Sequence, residues 1–147
     1  IECESNNINM TRISAKITPA ELCDQMLIAE HREIIRIPNT IKSGKAKVKD
    51  IPPVFKLGTG HVKFFYDKLA YLHLRYLSLH HECLRRGFSV TNYSEVFNDL
   101  PQGLYNNWAP EPFVRDLLIE RVNNRLSSMK VIRYMGNVIT LSESKLN

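Results

Sequence analysis

The sequence predicts an all-α fold, a single domain of three main helices joined by long irregular loops. Three observations carry that expectation. The 147 residues suit one buried core. Apolar side chains recur at three- and four-residue steps in three separate stretches. Each stretch is bounded by a helix start or stop signal.

The first helix is expected to open at Thr18-Pro19-Ala20-Glu21, which offers an N-cap, a proline at the first helical position and a capping-box acid. Leu22, Met26 and Ala29 then follow the spacing of a buried stripe, and Glu33 occupies its next position. Pro38 disfavours a helical Ile37, so this helix should end near Arg36. Residues 39–60 mix Lys42, Lys45, Lys47 and Lys49 with Gly44, Pro52, Pro53, Gly58 and Gly60 and read as a long basic loop. The second helix is expected from His61 to Arg86, with Phe65, Leu69, Leu72, Tyr76, Leu79 and Cys83 on its core face. Arg85 and Arg86 suit the negative end of its dipole, and Gly87 supplies a left-handed cap. The third helix opens at Glu111-Pro112 and buries Val114, Leu118, Val122 and Leu126, with Arg121 and Arg125 sharing another stripe. Beyond Met129 no period is sustained.

Composition narrows the class. With 44% hydrophobic and 24% charged residues, collagen-like, low-complexity and disordered chains are excluded. No apolar run approaches the roughly 20 residues a bilayer needs, so a soluble protein without a membrane partner is expected. Lys and Arg outnumber Asp and Glu by 20 to 15, which favours a polyanionic partner. Cys3, Cys23 and Cys83 are odd in number and lack CxxC spacing, so they read as buried thiols of an intracellular, reducing compartment, either cytoplasm or nucleoid. Residues 1–10 form an Asn-rich polar arm ahead of a domain spanning 11–147. The absence of an initial methionine reads as a processed terminus, a cloning remnant or a fragment; a processed terminus would allow an organelle. The arm is also the segment through which protein partners would be contacted.

Glu33, flanked by Arg32 and Arg36, forms the sharpest local feature; an acid on an apolar stripe beside two arginines is either an anion-binding site or a structural ion pair. Arg121 and Arg125, one turn apart, could grip phosphates or form a solvated face. Tyr105, Trp108 and Tyr134 could stack on bases or belong to the core. His80 and Cys83 share a helix face from which His81 turns away, and no fourth ligand accompanies them, so no metal site is expected. The sequence contains no GxSxG, HExxH or phosphate-binding glycine loop.

Taken together, Met10-Thr11-Arg12-Ile13, Asp24-Gln25 with Ala29-Glu30-His31-Arg32-Glu33, the run Gly58-Thr59-Gly60-His61-Val62-Lys63-Phe64-Phe65-Tyr66-Asp67-Lys68-Leu69, and Glu82-Cys83-Leu84-Arg85-Arg86-Gly87-Phe88 resemble the pyrimidine-dimer DNA glycosylases, the family of phage endonuclease V. The resemblance runs from Met10 to about Gly136. It implies an all-α domain that binds double-stranded DNA at an ultraviolet photoproduct, cuts the glycosidic bond and nicks the strand by β-elimination, with no metal or organic cofactor. It further implies Thr11 as the nucleophile, through an α-amine, and Glu33 as the catalytic glutamate. Arg12, Arg32, Arg36, Arg121 and Arg125 fall on family positions that hold DNA phosphates or border the active site, Arg125 replacing a lysine.

The chemistry is physically sensible. An amine that attacks a sugar C1′ must be unprotonated, and an α-amine titrates near 7.7–8.0 against about 10.4 for lysine. Three departures from the family pattern stand beside it. Thr11 follows ten residues and so presents an amide nitrogen; Met26 replaces the family histidine of the first helix; and Tyr134 is the remaining aromatic of the C-terminal cluster, within residues 130–136. Two outcomes therefore stay open: a repair enzyme active once Thr11 is the terminus, or a non-catalytic relative that binds DNA, or RNA, within a nucleoprotein assembly.

Overall fold

The computed structural model describes residues 11–147, so the polar arm and Cys3 lie outside the described residues. Among the described residues six α-helices, here α1 (Asp24–Glu33), α2 (Arg36–Lys42), α3 (His61–Phe64), α4 (Leu69–Arg85), α5 (Pro112–Ser127) and α6 (Leu141–Ser144), account for most of the regular structure. Short 3₁₀ turns link them. The fold is mostly helical but not strictly all-α, because strands β1 (Ile132–Tyr134) and β2 (Asn137–Ile139) pair antiparallel with Ile132 opposite Ile139. Among the described residues no helix is long and apolar enough to cross a membrane.

The hairpin explains why the tail lacked a readable period. Its strands have three residues each, too short for alternation to register. Its two-residue turn places Met135 at φ 51° and Gly136 at φ 82°, the doubly left-handed geometry of a type I′ connection. Asp24, at the start of α1, accepts both turn amides, from Met135 at 2.9 Å and from Gly136 at 2.7 Å.

Two helix boundaries differ from expectation. Thr18 and Glu21 do form the expected local bonds, Thr18 N–H donating to the Glu21 carboxylate at 2.9 Å, but they cap only a 3₁₀ turn. The α-helix itself starts at Asp24. Pro38 does not simply end the first helix. The chain breaks at Ile34–Ile35 and restarts as α2, where Pro38 sits in the first turn and its missing N–H leaves nothing unsatisfied. Glu33 is the last residue of α1.

The expected helix from His61 to Arg86 is three pieces, because Lys68 adopts φ −127°, ψ 42° and interrupts the ladder before α4. Its core stripe is nonetheless correct: Phe65, Leu69, Leu72, Tyr76, Leu79 and Cys83 are all fully buried. Each of its Phe and Leu side chains contributes about 1.5–3 kcal/mol of hydrophobic burial. The stop is as expected, with Gly87 at φ 83° and the Gly87 and Phe88 amides returning to Leu84 and Cys83. In α5, Val114, Leu118, Val122 and Leu126 are buried, the last two against Cys23 and Ile132 beneath the hairpin. Cys23 and Cys83 are free thiols inside the protein.

Candidate active site

Three segments meet at one cleft, the N-terminal segment, α1 and α5, joined by Met129 just beyond the end of α5. The segment Thr11–Thr18 has no strand partner, so beyond the Ile17 N–H to Ser14 O turn bond its backbone relies on side chains. Ile13 N–H donates to His61 Nε2 at 3.0 Å, Ala15 O accepts from Tyr71 at 2.8 Å, and Arg75 and Arg115 donate to the carbonyls of Ile17 and Lys16. Thr11 is buried, whereas Arg12, next in sequence, is exposed and lines the cleft.

The cleft encloses about 300 Å³. Arg12, Arg121 and Arg125 supply three guanidinium groups, Glu30 and Glu33 two carboxylates, and Met26, Ala29 and Met129 an apolar wall. The stripe Met26, Ala29, Glu33 thus faces the cleft, and the core face of α1 is formed by Leu27 and His31, with Glu30 beside them. A cleft wall of partly buried apolar residues and a core face look the same to a spacing rule.

The two carboxylates differ in their commitments. Glu30 is buried and accepts two bonds from Arg75, Nε at 2.8 Å and Nη2 at 3.1 Å. Glu33 is partly exposed, and its ion pair is to the exposed Arg32 at 3.6 Å, a weak contact in solvent. The buried ion pair that sequence reasoning considered for Glu33 belongs to Glu30, and Arg75, 45 residues away, had no local signal.

Arg121 is the unusual cation. Its Nη2 is buried and has no hydrogen-bond partner among the described residues. Burial lowers its pKa to about 10, opposed by the Glu30 charge and assisted by Arg12. A buried donor left unpaired costs about 1–3 kcal/mol, and an anion entering the cleft would remove that cost.

In the sequence His61 stands out only as the expected start of the second helix and as part of the Gly58–Leu69 run. It is buried, and burial with the nearby Arg121 and Arg12 charges lowers its pKa to about 4. Lys56 O accepts from its Nδ1 at 2.9 Å, which leaves Nε2 as the acceptor for Ile13.

Of the residues anticipated from sequence, the cleft brings together Arg12, Glu33, Arg121 and Arg125. Thr11, Arg32 and Arg36 are not among its lining residues; Arg32 approaches only through Glu33, and Arg36 opens α2. A sequence profile of the family described as pyrimidine dimer DNA glycosylase matches residues 10–95, more than half of the chain. The chain belongs to that family. The match takes in Thr11, Arg12, Glu33 and His61, while the α5 arginines lie beyond it and join the site through the fold alone.

Within the pyrimidine dimer DNA glycosylase frame, two of the three aromatic candidates, Trp108 and Tyr134, make structural contacts. Trp108 packs among Phe55, Phe64, Phe65 and Tyr71, with ring centroids 5.0–5.8 Å apart. Tyr134 lies 4.2 Å from the Arg86 guanidinium and donates its hydroxyl to Ala20 O. Tyr105 remains exposed, hydrogen-bonded to His73 at 2.7 Å. His80 is occupied by His31, their ring nitrogens 3.0 Å apart.

Proposed function

We propose that the cleft binds damaged double-stranded DNA and that the protein acts on ultraviolet pyrimidine dimers as a glycosylase with AP-lyase activity. The observation that carries the reading is the Nη2 of Arg121, without a hydrogen-bond partner among the described residues, in the same cleft as Glu33, Arg12 and Arg125. Three guanidinium groups around one concave site suit phosphates, and each phosphate contact adds to affinity and to salt sensitivity. Arg32 and Arg36 would extend the basic edge.

In this reading the nucleophile is the α-amine of Thr11 in a chain that begins at that residue. The amine attacks C1′ of the damaged nucleotide, the C1′–N bond breaks, and its electron pair leaves with the base. The departed base takes up a proton, the new C1′ ammonium loses one, and cleavage of the C1′–O4′ bond, with a proton going to the ring oxygen, leaves an iminium ion. Removal of a C2′ proton then expels the 3′-phosphate oxygen by β-elimination. Glu33 serves as the proton-transfer group and its charge stabilises the cationic imine. A damaged step opens at lower cost, which contributes to selectivity. The residues need no metal or organic cofactor for these steps.

The test is borohydride trapping on DNA that contains an abasic site, comparing the full chain with one starting at Thr11. A covalent adduct with the shorter chain alone supports a masked lyase. Adduct with neither rejects imine chemistry and favours a second reading, a DNA-binding relative without the reaction. One observation leans that way: Met26, which cannot titrate, lines the cleft at the position of the family histidine.

A further inference from the structure

The segment that carries Thr11 and Arg12 makes no sheet, so something else must decide where it lies. Tyr71, Arg115 and Arg75 hold it at Ala15, Lys16 and Ile17. Nearer the cleft, its Ile13 N–H donates to His61 Nε2 at 3.0 Å. This bond requires a lone pair on Nε2, and the Lys56 carbonyl at 2.9 Å from Nδ1 requires the proton on the other nitrogen. The imidazole is thereby fixed in one tautomer. Its plane is fixed too, because Phe55 and Phe65 meet it edge-on with centroids 5.4 Å away. His61 follows Gly60, whose φ of 91° turns the chain into α3 and whose own hydrogen faces the Lys56 side chain at a distance a methyl group would crowd.

We infer that His61 is a positioning residue for the DNA site: a neutral, single-tautomer imidazole that fixes the Ile13 amide and so sets where Arg12 enters the cleft and where Thr11 lies beside it. It touches neither the cleft nor a substrate. The inference rests on the proposed DNA-binding role of the cleft, but not on the lyase chemistry. Its effect is geometric: without the Nε2 acceptor the Ile13 amide is unsatisfied in a buried site, and the two residues before it lose one of the contacts that aim them.

The experiment uses the full chain and a duplex carrying a tetrahydrofuran abasic analogue. His61→Phe keeps a ring but removes both bonds, His61→Gln can place an amide oxygen near Nε2, and Tyr71→Phe removes a different clamp of the same segment. Expected are an affinity loss of about tenfold for His61→Phe, a salt slope shallower by about one phosphate contact, and recovery to within about threefold for His61→Gln. Tyr71→Phe should stay within about twofold even where its melting temperature falls as far. Unchanged affinity and slope for His61→Phe, or an equal loss for Tyr71→Phe, overturns the inference. Should His61→Phe fail to fold, ¹⁵N spectra of the wild-type imidazole decide: an Nε2–H tautomer or a doubly protonated ring at neutral pH overturns it. Failure of borohydride trapping by every form of the wild-type chain would defeat the lyase chemistry and leave this comparison standing. Absence of any wild-type affinity for the duplex would overturn both.

Discussion

Glu30 and Arg75 lock each other in a buried two-bond ion pair, at 2.8 and 3.1 Å, and so leave Glu33, three residues on, as the cleft carboxylate without such a clamp. The pair separates two roles that a sequence places side by side. Substituting Glu30→Gln strands the Arg75 charge inside the protein and should cost about 3–5 kcal/mol in urea unfolding. Glu33→Gln should cost less than about 1 kcal/mol, because its partner Arg32 is exposed. In a trapping-competent form, Glu33→Gln should abolish strand cleavage while salt-sensitive binding persists. Equal nicking by that variant would reject the proposed proton-transfer role.

Arg121 should behave as a site residue that weakens the fold. Its buried Nη2 lacks a partner among the described residues, so Arg121→Met should leave stability unchanged or raise it by about 1–2 kcal/mol. The same change should weaken DNA binding and reduce the salt slope by about one contact. Calorimetry and binding titrations at several salt concentrations check both halves. A large stability loss would mean that the guanidinium is structurally paired.

Much of this arrangement was legible. The stripe from Phe65 to Cys83 and the stripe from Val114 to Leu126 are buried as their spacing required, since each is long enough for a 3.6-residue period to show. Glu33 was legible as a helix-end acid, and Arg121 and Arg125 as one stripe. What stayed hidden depends on long-range partners. Arg75 meets Glu30 across 45 residues, Arg86 meets Asp24 across 62, and Asp24 meets the hairpin turn across 111 and 112. No local window contains both ends of such a contact. The interruption at Lys68 was hidden for another reason: apolar spacing continues through it while the backbone does not.

Acid should destabilise the protein in a definite window. Burial lowers the pKa of both His31 and His61 to about 4 from an ordinary 6.5, His80 adding to the effect on His31 and the arginines to that on His61. Between those values the unfolded chain binds more protons than the folded one. Stability is therefore full above pH 6.5 and is lost as pH falls toward 4, by at most about 3 kcal/mol for each ring. Glu21 and Glu82, lowered to about 2 chiefly by hydrogen bonds from Arg115 and Arg85, add a separate loss that begins below about pH 4.5. Melting temperatures between pH 7 and 5 should fall, and His31→Phe should flatten part of that slope. A flat wild-type profile over that range would contradict buried, neutral imidazoles.

The hairpin should depend on one carboxylate at the far end of the chain. Asp24 accepts the Met135 and Gly136 amides and also binds Arg86 Nη1 at 2.9 Å. Arg86 in turn holds Glu82 at 2.7 Å, reaches the carbonyls of Pro19 and Ala20, and carries the Tyr134 ring on its face. Asp24→Asn keeps the shape but removes the charge facing a fully buried guanidinium, and its amide cannot accept both turn N–H groups on two oxygens. The expected cost is about 3–5 kcal/mol globally. Hydrogen exchange at Met135 and Gly136 should accelerate beyond what the lower global stability accounts for. Gly136→Ala separates backbone from charge: a side chain at φ 82° strains the turn by about 1–2 kcal/mol while Asp24 and Arg86 keep each other. Should Gly136→Ala cost as much as Asp24→Asn, the turn geometry, and not the Asp24 charge, would be what fastens the hairpin to α1.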